Sequence, residues 1–226
     1  MVVNSPKVVS DLLFETQYHP PIAFFAELAH ADALWLETHD HYRKQTYRNR
    51  CLILTAQGIK PLTVPVIDGN RSEKVLSSLI EIDYRQNWRH QHWRTLQTAY
   101  GGTPYFEYYA DYLHDIYQQK PALLFELNLA LLRFYCRCLR LRQPIHLTSG
   151  YHTGEEVGSG APGQPATPAP LDRRDWLTPK ATTDEPGPDR TSVPAYGQRF
   201  GKDFVSGLSI LDLLFMQGPA AGSFLT

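Results

Sequence analysis

The stretch LLFETQYHPPIAFFAELAHADALWLE, residues 12–37, decides the fold class. Leu12 to Tyr18 reads as a short strand running into His19-Pro20-Pro21. Proline cannot donate to a strand ladder, but it sits well in the first turn of a helix. Ile22 to Ala31 then places Ile22, Phe25, Ala26 and Ala29 at helical spacing, and Ala33 to Glu37 reads as a second short strand. Strand, helix and strand within roughly forty residues describe a βαβ unit, whose strands are parallel. An α/β class is therefore expected.

Outward from that unit, Cys51 to Thr55 and Pro61 to Ile67 flank Ala56-Gln57-Gly58 as a hairpin, and Leu76 to Ile82 reads as a further strand. From Asn87 the period becomes helical. Trp88, His92 and Thr95 share one face, Trp93, Leu96 and Tyr100 another, and Gly101-Gly102 ends the helix. Thr103 or its neighbour is expected to cap the next helix, with Pro104 in its first turn and Phe106, Tyr109, Leu113 and Tyr117 along one side. A third helix is expected from Pro121 to Leu141, closed by Pro144, and Ile145 to Thr148 as a last strand. Ser209-Ile210-Leu211-Asp212 matches a capping box opening a terminal helix, and Gly218-Pro219 stops it.

The expectation is one domain over residues 1–226, with a parallel βαβ start, additional strands, a three-helix segment and a C-terminal helix. Between about 150 and 170 the composition shifts to Gly, Pro, Ala, Ser and Thr, too few apolar side chains to offset ordering entropy, so a disordered insertion is expected there. A looser stretch is expected at about 181–192.

A chain of 226 residues can bury a core without disulfides or metals. Its net charge of −1 argues against a nucleic-acid coat or a polybasic membrane anchor. Cys51, Cys136 and Cys138 lack metal-ligand spacing and suit reduced thiols in a cytoplasm. The longest apolar stretch, Pro121 to Tyr135, is interrupted by Glu126, Asn128 and Arg133, so no membrane span is expected. Phosphate-loop, dinucleotide, nucleophile-elbow and zinc-protease signatures are absent, and the sequence names no cofactor.

The segment from Asp40 to Arg50 concentrates Arg43, Lys44, Arg48 and Arg50 in an otherwise balanced chain. It follows the second strand, where open α/β sheets bind ligands, and guanidinium forks suit phosphate or carboxylate. The reading has Lys44, Arg48 and Arg50 hold the anion beside Asp40, the loop's one acid, with Gln17, Tyr18 and Asn49 orienting the substrate. His19 and His92 are the candidates for moving a proton. The competing reading is a solvated basic loop and two structural histidines. Partners are then a phosphate-containing or carboxylate small molecule, a nucleotide-sugar among them, and not nucleic acid.

Glu15 through Ile22, Asp40 through Arg50, Leu62 through Val66, His92-Trp93-Arg94 with Tyr100, Thr103 through Phe106 with Tyr108 and Tyr109, and Ser209 through Phe215 with Gly218-Pro219 together resemble the WbqC-like family. The order and spacing agree from about residue 12 to 150 and from about 172 onward, and Pro179-Lys180 resembles a family segment before the last helix. The resemblance carries over Gln17, Tyr18, Pro20, Asp40, Lys44, Asn49, Arg50 and His92 as motif residues. It implies a context of surface-polysaccharide assembly and transfer of an aminoacyl or acyl group onto an amino sugar. Two alternatives stand beside that enzyme. One is a non-catalytic binding or scaffold protein of a polysaccharide assembly complex, and the other is acyl activation of the nucleotidylyltransferase-like kind.

Overall fold

The computed structural model describes residues 10–67, 75–152, 169–179 and 193–225. β1 (Leu12–Glu15) is buried along its whole length. α1 (Ile22–Ala29) buries Phe24, Phe25 and Leu28 and returns the chain to β2 (Leu34–Glu37), which pairs with β1 in parallel, Leu12 opposite Leu34 and Glu15 opposite Glu37. A strand covered on both faces reads as a continuous apolar run, as Leu12-Leu13-Phe14 does.

The expected first strand was three residues too long. The Tyr18 amide donates to the Tyr47 carbonyl at 2.8 Å, and His19 has φ 43°, a left-handed turn that no strand accommodates. That turn swings the chain into Pro20-Pro21 and the helix.

β3 (Arg50–Thr55) and β4 (Gly58–Thr63) form the hairpin, with Thr55 opposite Gly58 across a two-residue loop. The second strand starts earlier than expected because Gly58, at φ 99°, takes a conformation that other residues adopt at a cost. Leu76 to Ile82 is not a strand. It contains a single 3-10 turn, Ser77–Leu79, held across the loop after β2 by the Ser77 amide on the Asp40 carbonyl and the Ser78 hydroxyl on the Thr38 carbonyl. Isolated bridges alone tie it to neighbouring chain, Leu76 to His41, Glu81 to Leu123 and Ile82 to Val66.

The three-helix segment is α2 (Trp88–Tyr100), α3 (Phe106–Gln118) and α4 (Leu124–Cys138). Thr103 does not cap α3; its hydroxyl donates back to the Tyr100 carbonyl at 2.7 Å. β5 (Ile145–Leu147) and β6 (Leu171–Asp172) complete a four-stranded, wholly parallel sheet in the order β5-β2-β1-β6.

Residues 153–168 and 180–192 lie outside the described residues, and with them most of the expected insertion, the looser stretch and Lys180. The start of the expected insertion is described, and it is tied down. The His152 amide donates to Glu37 and the Arg174 guanidinium lies over the Tyr151 ring.

α5 (Ile210–Gln217) is the most enclosed helix, with Ile210, Leu211, Leu213, Leu214 and Phe215 all at 0% exposure. Ser209 caps it by accepting from the Leu211 amide, but the capping box is only half formed. The Ser209 amide goes to the Leu52 carbonyl, and Asp212 accepts instead from the Tyr196 hydroxyl at 2.7 Å. A 3-10 helix, Gly218–Phe224, follows α5 directly. Sheet, helices and terminal segment share one apolar core.

Candidate functional site at the carboxyl edge of the sheet

All four strands point the same way, so their carboxyl ends and the loops after them meet on one edge. β1 and β2 both end on glutamate, and the two stand opposite each other. Glu37, fully buried, accepts from the Thr148 hydroxyl at 2.9 Å, the His152 amide and Arg174. Glu15 accepts from Gln17 Nε2 at 2.9 Å and the Asp175 amide at 3.0 Å. Burial raises the Glu15 pKa, against the pull of the Arg48 guanidinium.

Beyond these glutamates a cleft of about 260 Å³ opens to solvent. Its walls carry three carboxylates, Asp40, Asp172 and Asp175, and three guanidiniums, Arg43, Arg48 and Arg174, with His41 and Tyr151 beside them. Arg48 is buried and forked, Nε to Asp40 at 3.1 Å and NH1 to Asp175 at 2.6 Å, while Arg43 reaches the other oxygen of Asp175 at 2.9 Å. Burial would lower the Arg48 pKa, but Glu15, Asp40 and Asp175 outweigh it and raise the value, so the guanidinium stays charged. Asp40, only 6% exposed, keeps its Oδ1 without a partner among the described residues.

A second polar cluster lies inside the protein. The Tyr18 hydroxyl meets His92 Nδ1 at 2.8 Å and the Tyr117 hydroxyl at 2.6 Å. Tyr117 also meets His19 Nε2 at 2.7 Å, and His19 Nδ1 meets the Tyr135 hydroxyl. His92 makes its remaining bond to the backbone of Thr63. One assignment satisfies every bond: Tyr135 donates to His19, His19 to Tyr117, Tyr117 to Tyr18, Tyr18 to His92, and His92 to the Thr63 carbonyl. Both histidines are then neutral with hydrogen on Nε2. A proton added at either Nδ1 would oppose a donor, and burial adds to this. Desolvation lowers the His92 pKa to about 4 and holds that of His19 well below the usual range. The chain of bonds fastens the end of β1 to α2, α3 and α4.

The consequence for pH has a definite sign. Between pH 6.5 and about 4 the unfolded chain binds a proton that folded His92 refuses, so this residue makes stability fall as pH drops through that window. Each unit of depression is worth about 1.4 kcal/mol. Glu15 and Asp212, whose pKa values burial raises, act in the opposite direction in any variant that keeps them. His92→Gln is therefore expected to lose less stability than the parent on going from pH 7 to 4.5 in urea titrations; equal losses would contradict a neutral, buried His92.

The structure separates the residues that the sequence grouped. Asp40 and Arg48 line the cleft, and Gln17 lies behind it against Glu15. Tyr18, His19 and His92 belong to the enclosed network, and neither histidine lines the cleft. Asn49 donates to the Val64 carbonyl at 3.0 Å, Arg50 donates to the Thr63 hydroxyl, and Lys44 is exposed. The three loop cations thus do not share one anion site. Sequence reasoning missed Glu15, Glu37, Asp172, Arg174 and Asp175 as members of the cleft region, and Tyr117 and Tyr135 in the network. The signal for the glutamates was present, since LLFE and LWLE are parallel strands that both close on an acid.

A profile of the WbqC-like protein family matches residues 16–159, which begin just after β1 and contain α1, β2, the loop through Arg50, the hairpin and the three-helix segment. The chain belongs to the WbqC-like family. Uncharacterized protein Rv1507c of Mycobacterium tuberculosis is 27% identical over 225 residues, covering 94% of this chain and 96% of its own length. No solved structure matches. In this WbqC-like chain no helix among the described residues is long and apolar enough to cross a membrane, and no described cluster of His, Cys, Asp or Glu is arranged to hold a metal ion.

Proposed function

We propose that this WbqC-like protein is an enzyme of surface-polysaccharide sugar modification, transferring an acyl or aminoacyl group to an amino sugar in the cleft at the carboxyl edge of the sheet. The observation that carries this reading is the charge arrangement there. Asp40, Asp172 and Asp175, backed by buried Glu15 and Glu37, face only Arg43, Arg48 and Arg174, and Asp40 Oδ1 is left wanting a donor. Unsatisfied buried acceptors favour a ligand that brings N–H or O–H groups. The amine of an acceptor sugar would lie against Asp40 Oδ1; as its nitrogen bonds to the acyl carbon, a carboxylate of the cleft takes the proton the nitrogen loses, and the bond from the acyl carbon to the donor's leaving group breaks, that group departing with the electron pair. Arg43 and Arg174 are placed to hold the phosphate or carboxylate of an activated acyl donor, or the phosphates of the amino sugar where it is presented as a nucleotide-sugar. Cys51 is fully buried and its thiol pKa is pushed up by burial, so no covalent cysteine step is invoked. His19 and His92 act here only through the frame that holds β1. The reducing cytoplasm is the compartment in this reading, in keeping with three free cysteines.

Saturation-transfer NMR tests the proposal. D-glucosamine is expected to give strong transfer and D-glucose weak transfer, and Asp175→Asn, which keeps a residue tolerant of the φ of 55° at this position, is expected to weaken glucosamine binding at least tenfold. Equal signals from the two sugars, or an unaffected variant, would refute it. The scaffold reading draws support from Tyr108 and Tyr112, one turn apart on α3 and 74% and 66% exposed. The nucleotidylyltransferase-like reading finds His19 enclosed, with both ring nitrogens bonded to tyrosines.

A further inference from the structure

A second cavity, of about 370 Å³, lies between the β3–β4 hairpin, α2 and the segment at Arg199 and Phe200. Its charge character is the reverse of the first. Lys60 from β4, Arg94 from α2 and Arg199 from the C-terminal segment line it, and no carboxylate among the described residues does. The contrast with the rest of the molecule is sharp: Arg43, Arg48, Arg85, Arg173 and Arg174 each pair with an acid, whereas none of Lys60, Arg94 and Arg199 forms an ion pair with a described residue.

Like charges held around one cavity repel, and an anion between them removes the repulsion. Apart from the Gln57 amide, the side-chain donors on the walls are already committed. The hydroxyls of Thr55, Thr95 and Thr98 donate to the carbonyls of Gly58, Gln91 and Arg94, so the three cations and that amide are the groups left for a ligand. Arg199 is set in place by its surroundings. Its guanidinium lies over the Phe200 ring and against Gly102, where a Cβ would come within 2.6 Å of NH1. A guanidinium fork and a second guanidinium with an ammonium suit the several oxygens of a phosphate group better than a single carboxylate. The volume exceeds that of one phosphate and lies at the lower end of the range for small-ligand sites.

We propose that the cavity formed by Lys60, Arg94 and Arg199 is a binding site for a phosphate-bearing small molecule, separate from the cleft at the carboxyl edge. The site stands on its own residues and is independent of the amino-sugar reading.

Inorganic pyrophosphate is the probe, titrated calorimetrically into the full chain at low salt. Binding is expected to weaken at least tenfold in Arg94→Ala and in Arg199→Ala, and further in Arg94→Glu. It is expected to weaken steeply between 50 and 200 mM salt, by the ion release that accompanies contact with several cations (about these concentrations separate such binding clearly). All three side chains are exposed, so thermal melting of each variant is expected to match the parent. Arg133→Ala, exposed on α4 and lining neither cavity, is expected to leave pyrophosphate affinity unchanged. Absence of binding at millimolar pyrophosphate would overturn the proposal, as would equal affinity in the Arg94 and Arg199 variants. Loss of affinity in Arg43→Ala alone would place the anion in the carboxyl-edge cleft and equally overturn it. None of these outcomes touches the glucosamine experiment, so the two readings fail separately.

Discussion

A chain ending at Lys202 is expected not to fold. The truncation removes α5, whose Ile210, Leu211, Leu213, Leu214 and Phe215 are entirely enclosed. Burial of one large apolar side chain is worth about 1.5–3 kcal/mol, and domains of this kind are stable by about 5–15 kcal/mol in total. Five such side chains consume that margin. The loss is not confined to the helix, because the Leu208 carbonyl accepts from the Ile22 amide at 3.0 Å and the Ser209 amide donates to the Leu52 carbonyl at 2.8 Å. The segment thereby joins the start of α1 to the hairpin. A graded version uses Phe215→Ala, whose ring sits 5.3 Å from Tyr100 and 5.0 Å from Phe106. Its expected cost is about 3–5 kcal/mol in urea unfolding. A soluble, cooperatively melting truncated chain would remove α5 from the core.

Arg48→Ala is expected to cost about 3–5 kcal/mol, the penalty for stripping one partner from a buried ion pair. The removed guanidinium bonds Asp40 and Asp175 and faces Glu15, so three carboxylates lose their counter-charge together. Arg48→Lys restores the charge without the fork and is expected to recover part of the loss. The deficit should shrink as pH falls, because burial already raises the Glu15 pKa and a protonated Glu15 no longer needs the cation. Urea titrations at pH 7 and 4.5 measure both effects. A loss below about 1 kcal/mol at pH 7 would make Arg48 an ordinary surface pair.

The same residue shows where the sequence stopped being informative. Arg48 was legible as a cation in a loop beyond a strand, and its placement at the carboxyl edge follows from the βαβ start, which the Pro20-Pro21 turn and two apolar runs made plain. What neutralises it was not legible. Asp175 lies 127 residues away and arrives through β6, a two-residue strand with no propensity signal of its own. Loop chemistry read in isolation therefore grouped Arg48, which the fold pairs with Asp40 and Asp175, with Arg50, which it turns to the Thr63 hydroxyl.

The helices were legible because their apolar periods are long, and the errors fell where distant bonds govern: the end of β1 at Tyr18 on Tyr47, the whole segment from Leu76 at Ser77 on Asp40, and the start of α5 at Ser209 on Leu52. His19 and His92 were found as a pair worth attention, but their environment was beyond local reading. The partners that enclose them, Tyr117 and Tyr135, sit on α3 and α4 at positions whose spacing reads simply as core. Lys60, Arg94 and Arg199 lie on three separate segments, so nothing local marks them as one group.

The central claim is that the carboxyl-edge cleft holds an amine-bearing sugar, and diffraction from a crystal soaked in D-glucosamine tests it most directly. The account predicts the sugar in the cleft beside Tyr151, with its ammonium within hydrogen-bond distance of Asp40 Oδ1 and Asp175. A cleft with no sugar at saturating glucosamine, or a sugar seated elsewhere on the protein, would contradict it.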